Sequence, residues 1–249
     1  MNSTLVLKNV TMLKDKEISA LRRLNKKPLL LRIEFARNAP VIRVLAVLSL
    51  HATIYALQLV ALNDHFETDA RLVELSDITH GYRELCELEM VNITLPSTVL
   101  IALLPKHRQL RLFKCNRCNF GTSFNAFAEC IKNAPPESSF DVNDVFVRDV
   151  DIEDLPEHSS LVSNVRLKDA NLENDNAENV LIFLSNCTML RHLDLSTNFL
   201  DDKSIGTIHE FLKQMPSLRV LDLRENMYGD KGKRDLEYVA KMTLVKILV

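Results

Sequence analysis

The sequence predicts an α/β solenoid in which parallel strands form one face and helices the other. Residues 190–200 and 218–228 are two copies of one pattern, 28 residues apart, with apolar side chains at four matching positions and asparagine at a fifth. Strand-like segments also recur along the chain, with helix-like segments between them. A self-similar period of this length indicates stacked repeats. Strand alternating with helix indicates a parallel sheet with helices on its outer side.

The chemistry of the pattern, L-x-x-L-x-L-x-x-N-x-L, explains why such units stack. Counted from the first leucine, positions four and six are Leu193 and Leu195 in the first copy, and both point from a strand into the core. Position nine is Asn198, which turns the chain and whose amide can bond backbone groups of the neighbouring coil. This is the signature of the leucine-rich repeat.

Ten apolar pairs mark the cores of successive strands. They are Leu5/Leu7, Leu31/Ile33, Leu57/Leu59, Leu88/Met90, Leu110/Leu112, Val145/Val147, Val165/Leu167, Leu193/Leu195, Leu221/Leu223 and Ile247/Val249. The last three spacings are 28, 28 and 26 residues, whereas the middle ones vary from 20 to 35. We therefore predict a single leucine-rich-repeat domain over residues 1–249, with irregular repeats over 1–160 and regular repeats over 161–249.

Helical patterns fill the intervals between these strands. They cover residues 15–26, 41–55, 68–82, 97–107, 123–133, 173–186, 202–214 and 230–241. The fifth helix ends before Pro135 and Pro136, as prolines require. Only the interval from Val147 to Val165 is too short for a helix, and a turn or a 3₁₀ segment is expected there.

Residues 218–242 resemble the repeats of the ribonuclease-inhibitor-like subfamily, in which a strand, an asparagine turn, a Gly-Asp-Lys-Gly helix start and a long helix follow in order. Ran GTPase-activating proteins and tropomodulin-like actin cappers share this arrangement. Residues 185–193, which include Cys187, are similar to the lead-in of F-box-linked substrate receptors. The resemblance covers about residues 162–249 and is weak before Asp141. It implies a horseshoe with strands on the concave face and helices on the convex face.

Composition and charge exclude several classes of protein. The 249 residues are 47% hydrophobic, and the net charge of −2 gives no global bias toward nucleic acid or anionic membrane. The five cysteines are an odd number over a long chain, which indicates a reducing compartment rather than a disulfide framework. The first residues contain no signal peptide, so we expect the cytoplasm or the nucleus.

The apolar stretch 44–62 resembles a membrane span, but it contains His51 and Gln58. A polar or charged group in hydrocarbon costs several kcal/mol, roughly 3 for a charge on insertion scales. We therefore interpret the stretch as a buried helix running into the Leu57/Leu59 strand, and expect no membrane segment.

No motif in the sequence predicts catalysis, a metal or a cofactor. Cys115 and Cys118 form a lone C-x-x-C, but zinc needs about four ligands and only His107 and Cys130 are near in sequence. We read Cys115 as a structural residue at position nine of a repeat that begins at His107. Gly229-Asp-Lys-Gly232 lacks the spacing and hydroxyl of a phosphate-binding loop. We expect a protein that is not an enzyme.

A partner-binding site is predicted on the concave strand face, where positions five and seven alternate with the buried leucines. The middle of these rows brings basic and aromatic residues together, with an acidic neighbour. The predicted site consists of Arg111, Phe113, Phe146, Arg148, Arg166, Lys168, Asp194 and Asp222. Aromatic residues among arginines are typical of protein-binding hot spots. The alternative is ordinary solvated strand surface, and a register shifted by one residue would turn Phe146 inward.

The sequence therefore predicts a non-catalytic protein-recognition module or scaffold whose partner it does not identify. A regulator of a small GTPase and a substrate receptor of a ubiquitin ligase are the alternatives that the resemblance implies. Nucleic acid is a less favoured partner, which would bind the basic stripe with a steep salt dependence. The strand ending at Val249 has no polar cap, so the chain is either a fragment or associates with another chain, such as a second copy, through that edge.

Overall fold

The computed structural model describes residues 3–10, 28–35, 53–62, 66–67, 84–94, 110–118, 138–143 and 161–249, together with residues 16, 19, 128, 131 and 132. Within these residues, ten strands form one parallel sheet whose spatial order follows the chain. Each strand therefore pairs with the strands of the repeats before and after it, as in a stacked solenoid.

The strands are short and evenly distributed. They are β1 (Ser3–Val10), β2 (Pro28–Phe35), β3 (Thr53–Ala61), β4 (Phe66–Glu67), β5 (Glu87–Val91), β6 (Ile93–Thr94), β7 (Leu112–Asn116), β8 (Ser139–Asn143), β9 (Asn164–Lys168), β10 (His192–Asp194), β11 (Val220–Asp222) and β12 (Lys246–Leu248). Strands β4 and β6 pair only with each other in the described residues, and the other ten form the main sheet.

Helices connect the strands of the C-terminal repeats. They are α1 (Asn174–Leu184), α2 (Ile205–Gln214), which follows a 3₁₀ turn at Asp202–Ser204, and α3 (Asp230–Thr243). In α1 the buried residues Ala177, Val180, Leu181 and Leu184 recur at the spacing of one helix face, which packs on the core. The predictions for residues 173–186, 202–214 and 230–241 are confirmed to within about a turn.

The earlier predicted helices lie almost entirely outside the described residues. Isolated helical residues are present at positions 16 and 19 and at 128, 131 and 132, within two of the predicted segments. The predicted helix over 41–55 is wrong at its end, because Thr53 already begins β3. The β-branched Thr53 and Ile54 suit a strand better than a helix.

One apolar residue from each strand of the main sheet lies in a continuous row through the core. The row is Leu5, Leu31, Leu57, Leu88, Phe113, Phe140, Val165, Leu193, Leu221 and Ile247. The eight inner members are buried, and the two end members pack against the same cluster. A fully buried leucine contributes roughly 1.5–3 kcal/mol, so this row stabilises the whole stack.

The middle of this row corrects the sequence-based register. We predicted strand cores at Leu110/Leu112 and Val145/Val147, but the residues paired across the sheet are Phe113/Cys115 and Phe140/Val142. Val145 and Val147 themselves lie outside the described residues. From Leu88 to Phe113, Phe140 and Val165 the spacings are therefore 25, 27 and 25 residues. Leu110 is buried as the first leucine of its pattern, which places Phe113 at position four. A shift of three residues exchanges the two faces of a strand.

A left-handed residue follows the strand at position eight in several repeats. Asn92, Arg117, Asp169, Thr197 and Glu225 have φ between 51° and 59°. This conformation costs non-glycine residues roughly 1–2 kcal/mol, and it turns each chain segment sharply away from the sheet. The turn fixes where the strand face ends.

The residue at position nine stabilises this turn by bonding two coils at once. The Asn198 side-chain oxygen accepts from the N–H groups of Ala170 (2.9 Å) and Leu172 (3.1 Å) in the preceding coil. Its amide nitrogen donates to the carbonyl oxygens of Leu167 and Leu195, both at 2.9 Å. Asn226 bonds Leu200, Leu195 and Leu223 in the same manner. The predicted role of the asparagine is confirmed.

Candidate protein-binding surface

A row of polar side chains runs across the solvent side of the sheet, next to the buried row of position four. These residues occupy position five and are cross-strand partners of one another. From β2 to β11 the row is Arg32, Gln58, Glu89, Lys114, Asp141, Arg166, Asp194 and Asp222. We call it the central row. Its position follows from strand geometry, because the residue before each member is buried in the core and successive side chains of a strand point to opposite faces.

The charges of the central row alternate in sign over most of its length. Lys114 lies between Glu89 and Asp141, and Arg166 lies between Asp141 and Asp194. Opposite charges directly across neighbouring strands stabilise a sheet by roughly 0.2–1 kcal/mol per pair. The central row is thus largely neutralised by its own members.

Arg166 connects the middle of the central row. Its Nε lies 2.9 Å from Asp194 Oδ2, and its Nη1 lies 3.6 Å from Asp141 Oδ2. The three side chains are 24–42% exposed, so water screens these pairs and each is worth about 1 kcal/mol or less. The ion pairs therefore contribute orientation more than stability, because they hold the guanidinium group across three strands.

The N-terminal part of the central row is connected by hydrogen bonds that each include one charged side chain. Gln58 Nε2 donates to Glu89 Oε2 at 2.8 Å, and Arg32 Nη1 reaches Gln58 Oε1 at 3.5 Å. Arg32 also pairs with Glu34 on its own strand at 2.9 Å. Side chains in this part are consequently held by their neighbours in the next coil.

The C-terminal end of the central row is acidic. Asp194 and Asp222 are cross-strand partners, and each accepts a hydrogen bond from the backbone N–H two residues later, at Ser196 (2.9 Å) and Arg224 (3.1 Å). The Arg224 guanidinium group donates to both Asp222 oxygens and holds the pKa of that carboxyl below its usual range. Asp222 therefore remains ionised at neutral pH, and both aspartates shape the turn that follows their strand.

The structure brings four of the predicted site residues together. Arg166, Asp194 and Asp222 lie in the central row, and Lys168 lies two residues beyond Arg166 on the same side of β9. Arg111 is exposed, but it precedes β7 and so lies where the strands begin, whereas Lys168 lies where they end. The N–H of Arg111 donates to the Cys86 carbonyl at 2.7 Å. Arg111 is therefore outside the central row.

The predicted exposure of Phe113 is wrong. Its side chain is 1% exposed and packs against Phe140 with ring centroids 5.9 Å apart. The physical reason is the register of β7, which places Lys114 rather than Arg111 at position five. Phe146 and Arg148 lie outside the described residues.

The predicted site omitted five members of the central row: Arg32, Gln58, Glu89, Lys114 and Asp141. The signal that could have identified Lys114 is Cys118, which lies at position nine if the repeat begins at Leu110. Its Sγ donates to the Met90 carbonyl at 3.4 Å, a bond that links it to the preceding coil as Asn198 is linked. Cys115, predicted at position nine, is instead a buried strand residue at position six.

A shallow groove of about 440 Å³ lies where the strands end. Its lining is mainly polar and charged: Val91, Asn92, Asn116, Arg117, Lys168, Asp169, Thr197 and Glu225. Asn92 Nδ2 donates to the Ala61 carbonyl at 3.1 Å, whereas its buried Oδ1 has no hydrogen-bond partner among the described residues. Such a groove is suited to polar groups of a protein chain rather than to an apolar small molecule.

Within the part of the chain that the structure describes, no cluster of three histidine, cysteine or acidic side chains is arranged to hold a metal ion. The four described cysteines are free thiols. No helix among the described residues combines the length and the apolar character needed to cross a membrane.

Several solved structures are similar to this chain. A leucine-rich-repeat protein of Leptospira interrogans matches with a TM-score of 0.55 and 17% identity, over 98% of this chain and 53% of its own. A chain of the mouse RP105/MD-1 complex matches with 0.46 and 13%, over 99% and 50%. An internalin from Listeria monocytogenes matches with 0.40 and 14%, over 88% and 73%. The chain thus spans about half the length of the first two proteins.

The likeness to the Leptospira protein, together with the parallel sheet, shows that the chain has the fold of an α/β leucine-rich-repeat solenoid. No protein-family model matches the sequence, and no curated protein matches it. Assignment to the ribonuclease-inhibitor-like subfamily remains a prediction from the sequence.

Proposed function

We propose that this leucine-rich-repeat solenoid is a protein-recognition module whose partner contacts the central row on its concave strand face. The observation that supports the proposal is the row itself, which carries seven charged side chains and one glutamine across eight strands and holds many of them in place by contacts between coils. Side chains fixed before binding lose less conformational entropy when a partner docks. Alternating charge favours one partner and one register through electrostatic complementarity.

Nucleic acid fits this surface poorly. The central row contains three basic residues, Arg32, Lys114 and Arg166, against four acidic ones, Glu89, Asp141, Asp194 and Asp222. A phosphate backbone requires an excess of positive charge along its path. The alternation within the row therefore supports a protein partner over a polyanion.

The proposal is tested by exchanging two neighbouring charges of the central row. In Lys114→Glu/Asp141→Lys the cross-strand pair and the net charge are preserved, while the pattern presented to a partner is inverted. The matched control is Glu210→Lys/Lys213→Glu, which exchanges an ion pair of 2.7 Å on the exposed face of α2.

Proteins captured from cell lysate by the wild-type chain and by both variants would be identified by mass spectrometry. We expect one set of partners to be retained by the wild type and the α2 control and lost by the central-row variant. Equal capture by all three chains would show that the central row is solvated surface. The identity of the captured protein also separates the narrower alternatives, since a small GTPase and a component of a ubiquitin ligase are readily distinguished.

Self-association through the last strand is a second candidate property. Met242, Leu244 and Val249, near β12, are 63%, 90% and 39% exposed, and Ile247 lines a shallow groove of about 300 Å³ there. Sedimentation of the wild type and Leu244→Lys over a range of concentrations tests this property. Dimers lost in the variant would support it, whereas a monomer at every concentration would exclude it.

A further inference from the structure

Two large apolar side chains lie exposed in neighbouring coils of the C-terminal repeats. Phe199 and Met227 are 50% and 64% exposed, and each follows the position-nine asparagine of its repeat, 28 residues apart. The residues on both sides of Phe199, Asn198 and Leu200, are buried, so the phenylalanine between them faces outward.

The backbone fixes both residues in equivalent places. The N–H of Phe199 donates to the Leu172 carbonyl at 2.9 Å, and that of Met227 donates to the Leu200 carbonyl at 2.8 Å. Each residue is thus held against the preceding coil by a main-chain bond, and the coils are stacked at the spacing of paired strands, roughly 5 Å. The two side chains form one patch, which we call the Phe199–Met227 patch.

The Phe199–Met227 patch has no role in the core of the fold. The equivalent residue of the preceding repeat is Asn171, which is polar, so the repeat itself does not require an apolar side chain here. Exposed aromatic residues and methionine are enriched in protein interfaces, where they bury a large area at little polar cost. The patch is therefore suited to bind an apolar side chain of another protein.

The surroundings of the patch are acidic. Residues 197–203 and 225–231, which carry the patch and the turns around it, contain four carboxylates and two basic residues. The carboxylates are Asp201, Asp202, Glu225 and Asp230. Glu225 and Asp230 are both exposed, and Glu225 accepts a hydrogen bond from the Thr197 hydroxyl at 2.8 Å, which orients it.

We propose that the Phe199–Met227 patch binds a short basic segment of a partner protein, with an apolar side chain against Phe199 and Met227 and flanking lysine or arginine side chains near Glu225 and Asp230. This inference rests on the proposed function as a protein-recognition module and adds the chemistry of one segment of the partner. Anionic membranes and nucleic acids are repelled by the same carboxylates.

The probe is a random peptide library displayed on phage and selected against the full chain. Selected peptides are then synthesised with a fluorescent label and titrated against the variants. Phe199→Ser/Met227→Ser removes the patch, and Met227→Ser alone is a milder change at the more exposed residue. Tyr238→Ser/Met242→Ser is the matched control, because these two residues of α3 are each 63% exposed.

We expect selected peptides to carry an aromatic or aliphatic residue flanked by lysine or arginine. Their dissociation constant should rise at least tenfold in Phe199→Ser/Met227→Ser and severalfold in Glu225→Gln, and stay unchanged in the Tyr238/Met242 control. The absence of selected peptides, selection of acidic or uncharged ones, or equal binding by all variants would each overturn the inference. In each of those cases, a partner captured from lysate by the wild type and lost in Lys114→Glu/Asp141→Lys would still support the proposed function. The two proposals can therefore fail independently of each other.

Discussion

Cys118 occupies in its repeat the place that Asn198 occupies in a later one. The Cys118 sulfur donates to the Met90 carbonyl of the preceding coil, as the Asn198 amide donates to Leu167. Hydrogen bonds from Cys115 and from backbone N–H groups lower the pKa of the Cys118 thiol, although burial opposes this shift. A thiol therefore substitutes for an amide in the ladder that joins the coils.

Replacing Cys118 tests this role. We expect Cys118→Ala to lower the free energy of unfolding by about 1–2 kcal/mol, because it removes a buried sulfur and its bonds to the turn. Cys118→Asn should preserve or raise that free energy, since an amide supplies stronger bonds. Urea unfolding measures both. The half-buried Cys86 gives the control Cys86→Ala, and a Cys118→Ala variant no less stable than this control would contradict the role.

Asn198 should be the most sensitive position of the asparagine ladder. Its side chain is 4% exposed and bonds five backbone groups, at Leu167, Ala170 and Leu172 in the preceding coil and at Leu195 and Ser196 in its own. Asn198→Ala leaves several buried groups without partners, each worth about 1–3 kcal/mol, so we expect a loss of at least about 3 kcal/mol in thermal or urea unfolding.

Asn226→Ala is the comparison for Asn198, because Asn226 is only partly buried and water can replace some of its bonds. Its loss of stability should be smaller. Equal losses at the two positions would show that burial does not determine the strength of the ladder.

The regular repeats were predictable from the sequence because their amino acids are the ones that the pattern requires. Leu193, Leu195 and Asn198 satisfy positions four, six and nine, and nothing nearby offers a competing register. From these residues the placement of Arg166, Asp194 and Asp222 in one row follows by strand alternation alone.

The middle repeats were not predictable by the same reasoning. Around Phe113 the sequence is Leu110-Arg-Leu112-Phe113, so apolar residues satisfy two registers, and only position nine decides between them. That position is filled by Cys118, and only its hydrogen bond to the backbone of the preceding coil shows that the thiol takes the place of an asparagine. The Phe199–Met227 patch was also missed, because the repeat pattern places no requirement on position ten.

Asp202 and Gly232 should show a strong coupling across two repeats. The Asp202 carboxylate accepts from the N–H of Gly229 at 2.9 Å, where it caps α3, and a Cβ on Gly232 would overlap that carboxylate. We expect Gly232→Ala to destabilise the wild-type chain by about 1–3 kcal/mol through this overlap. In an Asp202→Ala background the same change should stabilise α3 by roughly 0.5–1 kcal/mol, as alanine favours a helix over glycine.

The measurement is a double-mutant cycle in urea, with Gly206→Ala in α2 as the control. A Cβ on Gly206 meets no atom within 4 Å, so this variant should be neutral or stabilising in both backgrounds. Additive effects of the Asp202 and Gly232 changes would show that the two residues are not coupled.

Tyr228 should make the protein less stable at alkaline pH. Burial raises the pKa of Tyr228 to about 12, whereas its hydroxyl contact of 2.9 Å with Ser204 acts in the opposite direction. Between the ordinary tyrosine pKa of about 10 and the folded value, the unfolded chain loses this proton and the folded chain keeps it. The unfolded state is favoured there, and Tyr228 should reduce stability by up to about 1.4 kcal/mol per pH unit.

Tyr228→Phe removes this titration and leaves the ring in place. The free energy of unfolding is measured for the wild type and the variant from pH 8 to pH 12. Above about pH 9 that of the wild type should fall relative to that of the variant as the pH rises, whereas below this pH the difference between the two should be constant. Tyr238→Phe is the control, because Tyr238 is 63% exposed, and it should not alter the alkaline slope. Parallel curves for the wild type and Tyr228→Phe would show that the Tyr228 hydroxyl ionises as readily in the folded chain as in the unfolded one.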